Sequence, residues 1–195
     1  MLNDPGSCDL LGSEYEFNTP SKALIYYTKA CELDNASFCR SAGVLLTDGG
    51  DGVDKDHDKA VEYYMHSCYL GDDSSCFLAG NLCMEDESIM ARIGRAKEMY
   101  KTGCSYDNKD CCCLLGEMIM ARQGYDFDAS KALEFYHKGC ELGDWQSCDK
   151  VIDVCSEYEC EDFQAELRSY APRSCDLGSQ RSCDFINANP EFFNQ

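Results

Sequence analysis

Positive charge is scarce in this chain: 17 lysines and arginines stand against 36 acidic residues in 195, a formal net charge of −19. No basic stripe is left to neutralise phosphates, which argues against nucleic acid and anionic membranes and in favour of neutral or basic partners. No apolar run approaches the ~20 residues that a membrane-spanning helix needs. The opening Met1-Leu2-Asn3-Asp4-Pro5 has neither the charged nor the apolar region of a secretory signal. Histidine is limited to His57, His66 and His137, in different sequence contexts and none placed with a serine or cysteine as a nucleophile would need. They read as solvated or interface side chains. Finally, no two cysteines lie three apart, so neither a zinc ribbon nor a thioredoxin-type motif can be written.

What the chain has in excess is cysteine itself, sixteen in all. That density reads as a disulfide framework in an oxidising compartment. Ten of them form pairs eight residues apart: Cys31/Cys39, Cys68/Cys76, Cys104/Cys112, Cys140/Cys148 and Cys175/Cys183, recurring every 35 to 37 residues. A fixed period of this size is the signature of a repeat array.

The text around each pair recurs too. KALIYYTKAC (22–31), KAVEYYMHSC (59–68), RAKEMYKTGC (95–104) and KALEFYHKGC (131–140) each place Ala eight and Tyr four residues before the cysteine. Ala, Tyr and Cys at spacings of four share one helix face. After the pair come CDLLG, CRSAG, CFLAG and CCLLG, with Gly12, Gly43, Gly80 and Gly116 four residues beyond a cysteine. Glycine costs about 1 kcal/mol in a helix relative to alanine, so its return implies the close approach of a neighbouring helix. The intervening TDGGDGVDKDHDKA (47–60) and ARQGYDFDASKA (121–132) combine turn glycines with Asp or Ser ahead of Lys-Ala, a turn followed by a helix start. Each unit reads as two antiparallel helices, and neighbouring pairs must stack to bury their faces.

The succession of small-x-x-Leu-Gly, glycine-rich turn, Lys-Ala-x-x-x-Tyr and Leu-Gly-Asp loop resembles the Sel1-like repeat, a relative of the tetratricopeptide repeat. Cysteine on both sides of the loop resembles the cysteine-rich Sel1 subfamily typified by the Helicobacter cysteine-rich proteins. The resemblance implies an all-α fold: an αα-hairpin solenoid winding as a right-handed superhelix with inter-repeat disulfides. On this basis residues 1–195 form one array with approximate units 1–36, 37–73, 74–109, 110–145 and 146–180 and a partial terminal helix at 181–195.

The eight-residue spacing then has a geometric reading. In one continuous helix the two Cα atoms would stand about 12 Å apart, beyond the roughly 4.4–6.8 Å a disulfide spans. The cysteines can bond only if the chain reverses between them, as Gly71-Asp72 and Gly143-Asp144 allow. Each bridge would staple the second helix of one repeat to the first helix of the next. Closing so short a loop contributes up to about 2.6 kcal/mol by the chain-entropy estimate. Five pairs of buried thiols are the alternative.

Six cysteines stand outside the pairs. Cys83 and Cys155 take a position that holds Tyr15, Leu46 and Ile119 elsewhere, so core filling suits them, while Cys155–Cys160 offers an extra bridge if a helix stops between them. Cys111, Cys112 and Cys113 are consecutive and allow a metal-thiolate site, with no histidine nearby in sequence to support one. MLNDPGSC (1–8) aligns with ELGDWQSC (141–148), so Cys8 would be the second half of a staple whose first half precedes Met1. The chain therefore reads as starting inside an inter-repeat loop, with an export signal upstream; otherwise Cys8 is open to intermolecular pairing. At the other end AELRSYAPRSC (165–175) shifts its Tyr by one place and admits Pro172, and Ile152 replaces the helix glycine, as an atypical capping repeat would. The tail NANPEFFNQ (187–195) is expected either to pack or to fray.

Chemistry has few footholds. Asp54-x-Asp56-x-Asp58 has the spacing of a calcium loop, but Lys59 stands where Gly is needed and Met65 where Glu is needed, so a helix cap is expected and no metal. The Helicobacter resemblance implies penicillin binding with weak β-lactamase activity, for which Ser147-Cys148-Asp149-Lys150 supplies a Ser-x-x-Lys. No Ser-Asp-Asn or Lys-Thr-Gly accompanies it, leaving Ser147 and Lys150 weak catalytic candidates. No cofactor is implied and no ligand-binding residue is singled out. The leading expectation is a scaffold whose concave face, lined by first helices, binds a protein, peptide or cell-wall fragment, secreted or periplasmic. A mitochondrial intermembrane-space assembly factor of the respiratory chain is the remaining alternative by resemblance.

Overall fold

The computed structural model describes residues 19–84, 89–123, 126–158 and 162–193. Cys8, Gly12, Tyr15 and Cys160 lie outside them. The chain falls into two compact units, one ending at Tyr106 and the other beginning at Asp107. In the first, helices α1 (Pro20–Cys31), α2 (Ala36–Asp48), α3 (His57–Tyr69), α4 (Asp73–Met84) and α5 (Ile89–Ser105) follow one another. The second holds α6 (Lys109–Met120), α7 (Ala129–Glu141), α8 (Trp145–Glu157), α9 (Phe163–Asp176), α10 (Gln180–Ala188) and the single turn α11 (Pro190–Phe193). Among the described residues there is no strand, and no helix is long and apolar enough to cross a membrane.

Local chemistry sets the helix ends. The Asp56 carboxylate accepts from the Lys59 amide at 3.1 Å and the Asp128 carboxylate from the Lys131 amide at 3.0 Å, so the acid ahead of Lys-Ala is an N-cap. Asp56 thus has a capping duty at the calcium-like run. At the other end of the second helices, the residue three places after the first cysteine has positive φ in all five turns. Gly71, Gly143 and Gly178 take it at +97°, +90° and +110°, and Asp34 and Asp107 at +59° and +64°. A Schellman-type bond follows, with the Asp72 amide donating to the Ser67 carbonyl and the Asp144 amide to the Gly139 carbonyl. The left-handed residue turns the chain back within eight residues.

Consecutive helices pack as hairpins inside each unit: α2 on α3 and α4 on α5, then α6 on α7 and α8 on α9. The repeated tyrosine, not a neighbouring backbone, explains the helix glycine. A Cβ placed on Gly43 would stand 2.6 Å from Tyr64 Cε1, and one on Gly116 would stand 2.6 Å from Tyr136 Cε1. Gly80 likewise seats the ring of Tyr100. These tyrosines are buried, and the alanines one turn earlier, Ala60, Ala96 and Ala132, are wholly so. Small residues on both sides make room for one ring per hairpin.

Candidate functional site

The paired cysteines bridge adjacent helices. Cys31–Cys39, Cys68–Cys76, Cys140–Cys148 and Cys175–Cys183 are disulfides with Cα separations of 4.6, 4.8, 4.8 and 4.7 Å. They join α1 to α2, α3 to α4, α7 to α8 and α9 to α10. Cys104 and Cys112 are also disulfide-bonded. Cys155 is buried and disulfide-bonded, which goes beyond the core filling expected of it; Cys160, its suggested partner, lies outside the described residues. Cys83, Cys111 and Cys113 are buried thiols. Cys113 packs with Ile119, Ala132, Tyr136 and Val151, and burial pushes its pKa up to about 12, so it stays a protonated, unreactive thiol near neutrality.

Two of the three histidines, His66 and His137, lie beside carboxylates. His66 places Nδ1 3.8 Å from Cys31 Sγ and Nε2 3.2 Å from Asp34 Oδ1. Cys31, Cys39 and His66 come within 4.8 Å of one another, yet sulfurs bonded to each other carry no thiolate charge for a metal. His137 stacks on Tyr170 with ring centroids 5.0 Å apart, its Nε2 lying 3.3 Å from Glu166 Oε2.

Ser147 and Lys150 serve separate structural contacts. Ser147 is fully buried; its hydroxyl donates to Asp144 Oδ2 at 2.5 Å and its amide donates to the same oxygen at 2.8 Å. A Cβ on Gly139 would strike that serine, so the glycine before Cys140 makes room for it. Lys150 Nζ instead forms a 2.9 Å ion pair with Glu117 of α6. The serine hydroxyl is thus committed to an aspartate with no exposed face, and the lysine amine to a different helix.

Buried hydroxyls gathered on one carboxylate were missed in the sequence. Asp149, 8% exposed, accepts from Ser174 Oγ at 2.6 Å, Ser179 Oγ at 2.8 Å and Ser182 Oγ at 2.6 Å. Asp72 similarly accepts from Ser67 and Ser75 at 3.2 and 3.0 Å. The available signal was serine directly before a paired cysteine, at Ser67, Ser75, Ser147, Ser174 and Ser182.

The hairpin of α8 and α9 departs from the others, and a cavity of about 500 Å³ opens between it and α10. Ile152 takes the glycine position, Leu167 the alanine position and Ala171 the tyrosine position, and all three line the cavity. Phe163 and Phe185 add aromatic wall, and Asp149, Asp153 and Arg181 add charge. Arg181 Nη1 donates to Asp153 Oδ2 at 3.0 Å, and this pairing raises the arginine pKa further.

The Sel1 repeat family model matches residues 18–35, 39–72 and 109–144. The chain carries Sel1 repeats. Each matched stretch falls on the hairpin text described above. A Sel1 repeat protein from Oxalobacter formigenes superposes with TM-score 0.72 at 15% identity, covering 95% of this chain and 78% of that one. A protective antigen present in uropathogenic Escherichia coli strains, with an SLR fold, gives TM-score 0.66 at 17% identity over 98% of this chain. The match spans 47% of the antigen, about half its length. Cysteine-rich protein B of Helicobacter pylori gives 25% identity over 67% of this chain and 92% of its own, with TM-score 0.49. No curated protein shows significant sequence similarity to the chain. The Sel1 hairpin solenoid with inter-repeat disulfides is thereby the fold of the chain.

Proposed function

We propose that this Sel1 repeat chain is a disulfide-stapled, protein-binding scaffold that holds a neutral or basic peptide segment against its first helices. The observation that carries this reading is the apolar surface those helices leave open. Val44 of α2 and Phe77 and Leu78 of α4 are only half-buried in the first unit, as are Leu114 of α6 and Ile152 of α8 in the second. Apolar groups held at half exposure on successive rigid helices suit docking of an extended segment. The net charge of −19 favours basic segments and faster encounter with them. The bridges are consistent with an extracytoplasmic setting, and export is the reading we favour over the mitochondrial one. Ser147, buried and bonded to Asp144, lends the β-lactamase alternative no support.

Fluorescence anisotropy with labelled basic and acidic peptides of mixed sequence tests the scaffold reading. Basic peptides are expected to bind at low salt and to weaken several-fold as ionic strength rises. Equal binding of basic and acidic peptides at low salt would overturn it.

A further inference from the structure

We propose that in the reduced chain Cys31, Cys39 and His66 hold a zinc ion, and that oxidation of the two cysteines exchanges this metal for their bridge. The place of one imidazole carries the proposal. His66 of α3 reaches back to the preceding turn, with Nδ1 3.8 Å from Cys31 Sγ and Nε2 3.2 Å from Asp34 Oδ1. Its position, two residues before the first cysteine of a pair, holds Lys29, Thr102, Lys138 and Arg173 in the other repeats. Two of these show what the position ordinarily does. Lys138 pairs at 2.9 Å with Asp107, the counterpart of Asp34, and Arg173 donates to the carbonyls of Cys140 and Glu141 at 3.1 and 2.9 Å. Tying a hairpin to the preceding turn therefore accounts for the contact of His66 with Asp34. It does not account for a ring nitrogen beside the sulfur of a bridge, and of the five residues at this position histidine alone is a common metal ligand.

Reduction turns this contact into a donor set. Two thiolates and an imidazole suit zinc, whereas calcium and magnesium take oxygen ligands. The ligand atoms of Cys31, Cys39 and His66 already lie within 4.8 Å of one another. Zinc–sulfur and zinc–nitrogen bonds of about 2.3 and 2.0 Å set tetrahedral ligand atoms roughly 3.5–3.8 Å apart, so the Cys31–His66 spacing fits as it stands. Side-chain rotation parts the two sulfurs once the bond between them is broken. Asp34 supplies the carboxylate that orients a metal-bound imidazole through its other nitrogen. Both cysteines are buried, while the His66 side chain is 44% exposed and leaves a path for the ion and for water as a fourth ligand. The bridge joins α1 to α2; the metal ties both to α3 as well, so it holds the first hairpins together before oxidation. Oxidation by a small disulfide such as glutathione disulfide reverses the binding. One cysteine thiolate attacks the disulfide and expels a glutathione thiolate, and the other attacks the mixed disulfide and expels the second. Two electrons pass to the oxidant, the Cys31–Cys39 bond replaces the oxidant's sulfur–sulfur bond, and the zinc ion leaves.

The test equilibrates the whole chain in glutathione redox buffers with and without buffered free zinc, then quenches, alkylates and maps each cysteine pair by peptide mass spectrometry. Saturating zinc is expected to raise the ratio of reduced to bridged Cys31/Cys39 by about ten-fold or more, since the ion binds the reduced form alone. The ratios for Cys68/Cys76 and Cys140/Cys148, which have no histidine beside them in the sequence positions corresponding to His66, should stay nearly unchanged. His66→Lys keeps the carboxylate pairing seen between Lys138 and Asp107 but removes the ring nitrogen, so it should abolish the zinc response while the helical circular dichroism is retained. Asp34→Asn should weaken zinc binding by about ten-fold through loss of the orienting carboxylate. An absent zinc response at Cys31/Cys39, a response of equal size at all pairs, or one that survives His66→Lys in a folded chain would overturn the site.

Discussion

Gly71 and Gly116 show two different reasons for a glycine. A Cβ placed on Gly71 would meet nothing within 4 Å, but the residue sits at φ +97°, so Gly71→Ala is expected to cost about 1–2 kcal/mol through backbone strain alone. Gly116 has ordinary helical backbone and a tyrosine ring against it, so Gly116→Ala should cost about 1–3 kcal/mol through overpacking. Urea unfolding of both variants checks the pair, and a negligible effect at Gly116 would refute the ring-seat account. Asp149→Ala strands the buried Ser179 and Ser182 hydroxyls, leaving Ser174 only the Trp145 carbonyl, and should cost about 3 kcal/mol, read in the same way. That carboxylate was not legible in the sequence, since its partners come from 25 to 33 residues away and only folding gathers them. The cysteine pairs were legible because their spacing repeats.

Tyrosine ionisation gives a pH test at the same scale. Burial raises the pKa of Tyr64 and Tyr136 above the ordinary 10, and a hydrogen bond to Glu98 pushes Tyr69 up to about 12. A folded pKa above the unfolded one means the unfolded chain loses its proton first. The stabilisation is therefore complete below about pH 10 and falls as pH rises through the folded values. Absorbance at the phenolate band, recorded by rapid pH jump, should show a fast fraction of tyrosines and a fraction that ionises only on unfolding. Uniform titration near pH 10 would contradict the buried-ring arrangement.

Within an element, the hairpin was readable from caps, period and glycine, whereas its filling was not. Helical periodicity marked Gly43, Gly80 and Gly116 as sites of close approach, but a spacing cannot say whether backbone or ring approaches. The fourth hairpin was recognisable as atypical from Ile152, Tyr170 and Pro172, yet the cavity beside it is walled by Arg181, Ser182 and Phe185 of α10 as well, which no spacing within the hairpin could foretell. α9 runs through Pro172 to Asp176, and the tail packs as far as Phe193, with the Arg168 guanidinium 4.7 Å from the Phe192 ring centroid. Bridges differ in access: Cys68, Cys76, Cys140 and Cys148 are wholly buried, whereas Cys175 and Cys183 are only half-buried. Under a limiting dithiol without denaturant, Cys175–Cys183 is expected to be reduced well before the Cys68–Cys76 and Cys140–Cys148 bridges. Timed alkylation and peptide mass analysis checks this, and simultaneous loss of all bridges would contradict it.

Over the whole molecule, a repeat array gains cooperativity from ties between neighbouring hairpins. Short-range staples confine each reversal in the unfolded chain, contributing up to about 2.6 kcal/mol apiece. Under the scaffold reading proposed above, acidic charge spread over such an array favours a basic partner, while the Sel1 fold by itself leaves the partner's identity to the site chemistry. The most direct test of the stapled-repeat account is a disulfide map of the denatured, unreduced protein by peptide mass spectrometry. The account requires linked peptides for Cys31–Cys39, Cys68–Cys76, Cys140–Cys148 and Cys175–Cys183, with Cys83, Cys111 and Cys113 alkylated as thiols. Finding those eight cysteines alkylated, or bridged in any other pairing, would contradict it.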